Sequence, residues 1–399
     1  MLNIETHTAT SAAGVGVGAL RASLLDEASG LRPNDLAGCK LNTWIGRVKG
    51  IEASELPGEY ARFESRNNRL AWLALQQDGM LERIQWARDR FGAHRIGIIL
   101  GTSTSSIART EEAYRELDTR GQFRPEFRQS DVHNMHSPGL FVAAVTGVLG
   151  PSLTVSTACS SSAKVFATAD RWIRRGLIDA AVVGGVDSLC LSTLYGFNAL
   201  QLISSDPCRP FDRRRNGINL GEAAAFALVT RPRPGEDAPF RLLGYGESSD
   251  AYHMSHPHPE GRGAILAMQQ ALHSAGLAPG DVDYINLHGT GTRANDTIET
   301  LAVASVVGNA DRPAPTLVSS TKGWTGHTLG AAGMLESVMT LEAMRLGVAP
   351  GTLHCEQRDE SLCYPVLCGN KPHAIRIALS NSFGFGGNNA TLAFGQTVD

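Results

Sequence analysis

Leu153-Thr154-Val155-Ser156-Thr157-Ala158-Cys159-Ser160-Ser161-Ser162 is an apolar run that breaks into small residues and then into serines. Residues 153–157 have strand character. Residues 160–175 open with three serines suited to a helix N-terminus and carry Ala163, Phe166, Ala167, Asp170 and Ile173 at helical spacing. The same order of events recurs further on, where Leu317-Val318-Ser319-Ser320-Thr321 leads into Lys322, His327 and a second small-residue helix over 329–345. Each is a strand, a sharp turn and a helix, and the repetition suggests an internal duplication of an α/β unit.

Reading outward, apolar β-rich runs at 95–100, 180–186 and 223–229 precede the Pro-rich stretch 230–237, and further runs at 240–246, 282–287, 316–319 and 375–380 follow it. Ala180-Ala181-Val182-Val183 shows no polar alternation, which suits a central strand buried on both faces. Helical patterns at 261–275 and 296–306 lie between these runs. Alternation on this scale means stacked α/β layers with crossover helices, in two units, 1–235 and 236–399.

The 399 residues are 42% hydrophobic, 19% charged and 6% aromatic, with 43 glycines. Charge this low suits deep burial or a large self-association surface. Lys+Arg 36 against Asp+Glu 39 gives a net −3, so nothing global points to nucleic acid or an anionic membrane as a partner. The longest apolar stretch, 140–149, is too short to cross a bilayer, and the first residues lack the basic start and apolar core of a leader. Seven scattered cysteines read as reduced thiols, so a soluble, cytoplasmic protein is expected.

Four places carry chemistry. Cys159, between a strand and a helix start, faces unpaired N–H groups and a helix dipole that favour its thiolate; a buried, inert cysteine is the equal alternative. His288 ends an apolar run in Asn286-Leu287-His288-Gly289-Thr290-Gly291-Thr292, where a structural histidine is the commoner case. Lys322 and His327 stand five apart across glycines, a spacing that packing explains poorly. Asn381-Ser382-Phe383-Gly384-Phe385-Gly386-Gly387-Asn388-Asn389 marks backbone that must approach something closely. His253, His256 and His258 look metal-like, but the intervening prolines and Gly261 suggest an exposed loop. His354, Cys355, Cys363 and Cys368 lack the paired spacing of a zinc knuckle, so no metal is expected.

Together with Arg209-Pro210-Phe211-Asp212, Gly221-Glu222-Ala223-Ala224 and Gly184-Gly185-Val186-Asp187, these four motifs resemble the β-ketoacyl-[acyl carrier protein] synthases, the condensing enzymes of fatty acid and polyketide assembly. The resemblance runs from about residue 95 to 394, and the first ninety residues carry no motif. It implies the thiolase fold, two βαβαβαββ halves in five αβαβα layers. Cys159 then matches the acyl-accepting nucleophile, and His288 and His327 match the pair that stabilises the enolate of decarboxylated malonyl-carrier protein. Lys322 matches the lysine that orients and tunes His327, and Glu336 matches a buried structural acid. The N–H groups of Cys159 and Phe385 would form an oxyanion hole, with Phe385 as gate and Phe197 beside it. Thr290 and Thr292 would hold the phosphopantetheine arm, which arrives on the carrier protein, so no resident cofactor is implied.

The partners implied are an acidic acyl carrier protein and a second subunit, identical or related. Arg62, Arg66, Arg69, Arg124 and Arg128 could supply a basic docking patch. Departures from the family pattern are Asn388 where threonine is usual, the filling Ile218-Asn219-Leu220, and Thr104 and Ile107 where the acyl pocket is lined. They make a specialised pathway, aryl polyene or polyketide-like, plausible beside housekeeping fatty acid synthesis. A non-catalytic chain-length-factor subunit would typically lack the cysteine. A thiolase would need a second cysteine in the loop 383–389, which has none. An initiating synthase would carry asparagine at position 327.

Overall fold

The computed structural model describes residues 1–236, 238–310 and 314–397; Asp237 of the Pro-rich stretch lies outside them. Among the described residues, ten strands of one continuous sheet fall into two sets of five. The first comprises β1 (Leu2–Ser11), β2 (Ile96–Gly101), β3 (Ser152–Val155), β4 (Ala180–Asp187) and β5 (Ala223–Thr230). The second comprises β6 (Phe240–Ser249), β7 (Tyr284–Asn286), β8 (Leu317–Ser319), β9 (Ile377–Gly384) and β10 (Asn388–Gln396). Their spatial orders are β3-β2-β4-β5-β1 and β8-β7-β9-β10-β6, the same order when each set is numbered from its own start. Directions repeat too. The first three strands of each order run parallel, and the remaining pairings are antiparallel. The sets meet where β1 and β6 pair over three residues, Leu2↔Leu242, Asn3↔Arg241 and Ile4↔Phe240.

Helices fill three layers around these sheets. On the outer face of the first set lie α1 (Arg66–Leu75), α2 (Met80–Phe91) and α3 (Ser137–Thr146), which bury Leu70, Ile84 and Phe141 against Ile96, Ile98 and Val182. On the outer face of the second set, α5 (Arg262–Ala275) and α6 (Arg293–Val307) bury Met268 and Val303 against Ile285 and Leu379. Between the sheets run α4 (Ser161–Arg174) and α7 (Ala332–Leu346). Residues 332–344 of α7 are all buried, because one face meets each sheet and the residual stripe meets α4. Small residues make that crossing possible: a Cβ on Gly333 would lie 2.6 Å from the backbone nitrogen of Ala163. The five-layered thiolase arrangement expected from the sequence is therefore present.

Boundaries differ from expectation where turns take over. The strand foreseen at 153–157 stops at Val155, because Thr157 and Cys159 already belong to a tight turn. The run 282–287 narrows to β7, and the helix foreseen from 329 begins as a 3-10 turn, Leu329–Ala331, before α7. The three serines make no N-terminal cap on α4. Instead Ser161 Oγ accepts the N–H of Thr157 (2.9 Å) and Ser162 Oγ accepts the N–H of Met334 (2.8 Å), bracing the turn and the α4–α7 contact. The motif-poor first ninety residues supply β1, which joins the two sets, and two of the three outer helices.

Candidate active site

The turn between β3 and α4 puts Ala158 at φ +52°, a left-handed conformation that a residue with a Cβ adopts only where its surroundings hold it. Cys159 follows directly. In the second half, the matching segment after β8 carries Lys322, and its continuation brings His327 Nε2 to 3.0 Å from Cys159 Sγ. His288, the second residue of the loop after β7, completes the group. Its ring lies 5.3 Å from that of His327 at 83°, and the three candidate ligand atoms lie within 4.8 Å of one another. A sulfur and two imidazoles at that spacing form a zinc-type donor set. The Lys322 ammonium, 3.3 Å from His288 Nδ1, opposes a further cation there.

Hydrogen bonds fix how both rings are protonated. The N–H of Leu329, itself at φ +55°, donates to His327 Nδ1 (3.2 Å), and Lys322 Nζ can only donate to His288 Nδ1. Each neutral ring therefore carries its proton on Nε2. Burial pulls both imidazoles well below their ordinary pKa; the Lys322 charge adds to this for each, and His327 adds to it for His288. The pair is thus two neutral N–H donors.

Lys322 departs from expectation. It pairs with Glu336, donates to the carbonyl of His288 (2.6 Å) and approaches His288 Nδ1, so it orients His288. The His327 ring is oriented by Leu329, its backbone N–H is anchored on the carbonyl of Asn219 (2.7 Å), and it feels Lys322 only through its charge. Glu336 is buried as expected and serves as the counter-ion; burial raises its pKa and Lys322 pulls it back. A residue that the motifs did not reveal, Glu299 on α6, accepts the N–H groups of His288 and Gly289 at 2.7 Å each. Burial pushes its carboxyl up to about 7 against those donors. Only its distance in space, not its spacing in sequence, identifies it.

The thiol also departs from expectation. Burial pushes Cys159 up to about 11; the charge of Lys322 and the backbone N–H groups of Phe385 and of Cys159 itself offset only part of that. Burial raises Cys190 to about 11 and Cys208 to about 12 as well. Cys159 is therefore distinguished by its neighbours rather than by its acidity. In a site without substrate the desolvation of the anion outweighs the helix N-terminus.

A cavity of about 370 Å³ is lined by Cys159, His288 and His327 together with Phe197, Leu200, Leu202, Ile218, Thr290, Thr292 and Phe385. The rings of Phe197 and Phe385 touch at 5.7 Å, and the hydroxyls of Thr290 and Thr292 are 2.9 Å apart. Gly384 packs so closely under the turn that a Cβ would lie 2.9 Å from the carbonyl of Thr157 and 3.2 Å from the nitrogen of Cys159. The following Gly386 and Gly387 take φ +77° and +70°. Asn388, the departure from the family pattern, accepts from Lys164 Nζ at 3.3 Å, away from the cysteine. Thr104 is turned onto Asp187 (2.7 Å) and buried.

The arginines of the expected basic docking patch each have a partner on the chain. None of the five lines the cavity. Arg66 is bound to Glu222 and Glu52, Arg69 to Glu64, Arg62 to Asp131 and Arg124 to Glu116, while Arg128 donates to the carbonyl of Phe123. These acids lie near in space and, for Glu222, 156 residues away in sequence. Arg293, exposed at the start of α6, does line the cavity. The three loop histidines stand on an exposed segment, as expected, with His256 also facing the cavity.

Comparison with known proteins follows this geometry. The family described as "Beta-ketoacyl synthase, N-terminal domain" matches residues 40–234, and "Beta-ketoacyl synthase, C-terminal domain" matches 240–356. The chain is 34% identical to 3-oxoacyl-[acyl-carrier-protein] synthase 2 of Coxiella burnetii, covering 88% of this chain and 84% of that protein. It is 33% identical to the like-named protein of Mycobacterium bovis, covering 94% and 92%. It also superposes, with a TM-score of 0.88 and 36% identity, on a chain from the solved complex of a ketosynthase with its chain length factor from Xenorhabdus doucetiae, covering 99% of this chain and 98% of that one. Among the described residues no helix is long and apolar enough to cross a membrane. With both halves matched across the cysteine and the two histidines, the chain belongs to the β-ketoacyl synthase family.

Proposed function

We propose that this chain is a condensing β-ketoacyl-[acyl carrier protein] synthase that works by a ping-pong route through Cys159. The sulfur attacks the thioester of an acyl-carrier protein; the acyl group moves to Cys159, and the thiol proton ends on the departing carrier thiol. Malonyl-carrier protein then loses CO2. The C–C bond electrons become an enolate, whose oxygen receives the two Nε2–H groups of His288 and His327. The enolate carbon attacks the acyl carbonyl, and collapse of the tetrahedral intermediate expels Cys159 as a thiolate, which takes up a proton from solvent to restore the thiol. The N–H groups of Cys159 and Phe385 stabilise the oxyanion in each acyl transfer.

The observation that carries this reading is the 3.0 Å approach of His327 Nε2 to Cys159 Sγ, with His288 beside them in one cavity. A neutral pair of donors suits an enolate better than imidazolium, which would give up its proton to the carbanion. Thr290 and Thr292 are assigned to the phosphopantetheine arm, supported by their place on the cavity wall, and no cofactor of the chain's own is assigned. A second subunit, identical or related, belongs to the reading. Its support is the outer strand β3, whose Leu153 is 39% exposed, and the neighbouring Leu149 at 61%. A cytoplasmic location accords with seven cysteines all free as thiols.

The test is incubation with acyl-carrier protein followed by intact-protein and peptide mass measurement. An acyl mass increment on Cys159 is expected, absent from Cys159→Ala. No adduct on the wild type, or an equal adduct on the variant, would overturn the assignment.

A further inference from the structure

The loop before α5 does two things that the condensation chemistry does not require. It holds the glycine-rich gate, because the N–H of Gly386 donates to the carbonyl of Met254 (2.7 Å) and the N–H of Asp250 donates to the carbonyl of Gly387 (2.9 Å). It also folds back so that His253 and His256, on either side of Met254, bring their Nδ1 atoms to 3.1 Å, with their rings 4.7 Å apart at 77°. Ser255 Oγ lies 3.5 and 3.2 Å from the same two nitrogens. Both rings are exposed, so solvent ions reach them freely.

Two imidazole nitrogens bound to one tetrahedral ion at about 2.05 Å stand about 3.3 Å apart, close to the spacing found. Without a cation the two nitrogens share a proton, one Nδ1–H donating to the other Nδ1, and the N–H of Ser255 also donates to His253 Nδ1 (3.2 Å); a bound cation would replace that proton and displace the Ser255 contact. His258 stands apart from the pair, its ring packed on Tyr252 at 5.2 Å.

We propose that His253 and His256 form a binding site for a borderline divalent cation such as Zn2+, completed by water, and that the ion clamps the loop on which the Phe385 gate is hung. Imidazole pairs suit Zn2+ over Mg2+ or Ca2+, which take oxygen ligands. With both flanks of Met254 fixed, its carbonyl holds Gly386 and the gate stays shut. The ion acts as a regulator of access to the cavity and takes no part in bond making. Its effect on turnover rests on the function proposed above, but its binding does not.

The experiment uses the Cys159→Ala full chain, which removes the sulfur as a competing ligand, and adds His253→Ala to it. Zn2+ binding is measured by calorimetry, and amide hydrogen exchange is followed over residues 383–389. The expected result is a site in Cys159→Ala that weakens at least tenfold in the double variant, with Zn2+ slowing exchange at Gly386 only where the site is intact. Equal Zn2+ affinity in the two proteins would overturn the site. Binding without slowed exchange would overturn the clamp. The acylation test of Cys159 is run without metal, so its failure is read separately.

Discussion

The two halves share one strand order and use it differently. After the second strand of the first half, Thr102, Ser103 and Thr104 turn inward onto Asp187 at the end of β4, which accepts from the hydroxyls of Thr102 and Thr104 and from the N–H groups of Ser103, Thr104 and Ala331. After the second strand of the second half, His288 instead faces the cavity, and the end of β9 runs into Phe385 and the glycines rather than an acid. In the first half the carboxylate gathers side-chain hydroxyls as well as backbone N–H groups. In the second, Glu299 takes only the backbone N–H groups of His288 and Gly289, and the His288 ring stays free for a substrate. What the duplication conserves is the frame, with the chemistry set by which strand ends are tied off.

That contrast can be broken from either side. Asp187→Ala leaves five buried donors without their acceptor, and unfolding free energy is expected to fall by about 4 kcal/mol in chemical denaturation, while the folded fraction keeps acylating Cys159. A variant that stayed as stable as the wild type would show that the first half does not depend on that hub. His327→Ala should do the reverse. Malonyl-carrier decarboxylation, followed as CO2 release, is expected to drop about 10²–10³-fold, with Cys159 still accepting acyl groups and the melting temperature little changed.

The acidity of the sulfur sharpens the same contrast, because Cys159, which the first half contributes, is raised rather than lowered by its burial. With Cys159 held at about 11, the thiolate fraction below that value grows with pH. Its alkylation by iodoacetamide, read by peptide mass, is expected to quicken about tenfold per pH unit between pH 7 and 9. A plateau near pH 7 would mean a thiolate already formed. The smallest effect is expected at the rim. Arg293→Glu should raise KM for carrier-linked substrate about fivefold with kcat nearly unchanged, whereas Arg62→Glu should leave KM where it was.

Much of this site was legible in the sequence, because condensing chemistry needs its residues on strand ends and strand ends are marked by apolar runs breaking into glycine and serine. Cys159, His288, Lys322 and His327 all stand at such breaks. What was not legible depends on partners far apart in the chain. Arg66 reads as a free surface cation until Glu222 is beside it, and Lys322 reads as a neighbour of His327 until the fold brings it against His288. The raised thiol was hidden for a related reason: a helix start can be seen in a sequence, whereas the depth at which it is buried cannot. The strand β1 escaped because its polar run Glu5-Thr6-His7-Thr8 hides a strand whose two long-range neighbours come from beyond residue 220.

That last pairing has a bearing on how the molecule is made. Strand β1 lies between β5 and β6, with Asn3 opposite Thr230 on one side and Arg241 on the other. During translation the ribosome releases residues 2–11 long before their two neighbours exist, so this segment must wait, unpaired, while more than half of the polypeptide emerges. Contacts so distant along the chain are slow to form, and a strand kept waiting with unpaired edges is open to capture by other nascent chains. The residues with the least to say about catalysis therefore set the moment at which the two sheets lock together.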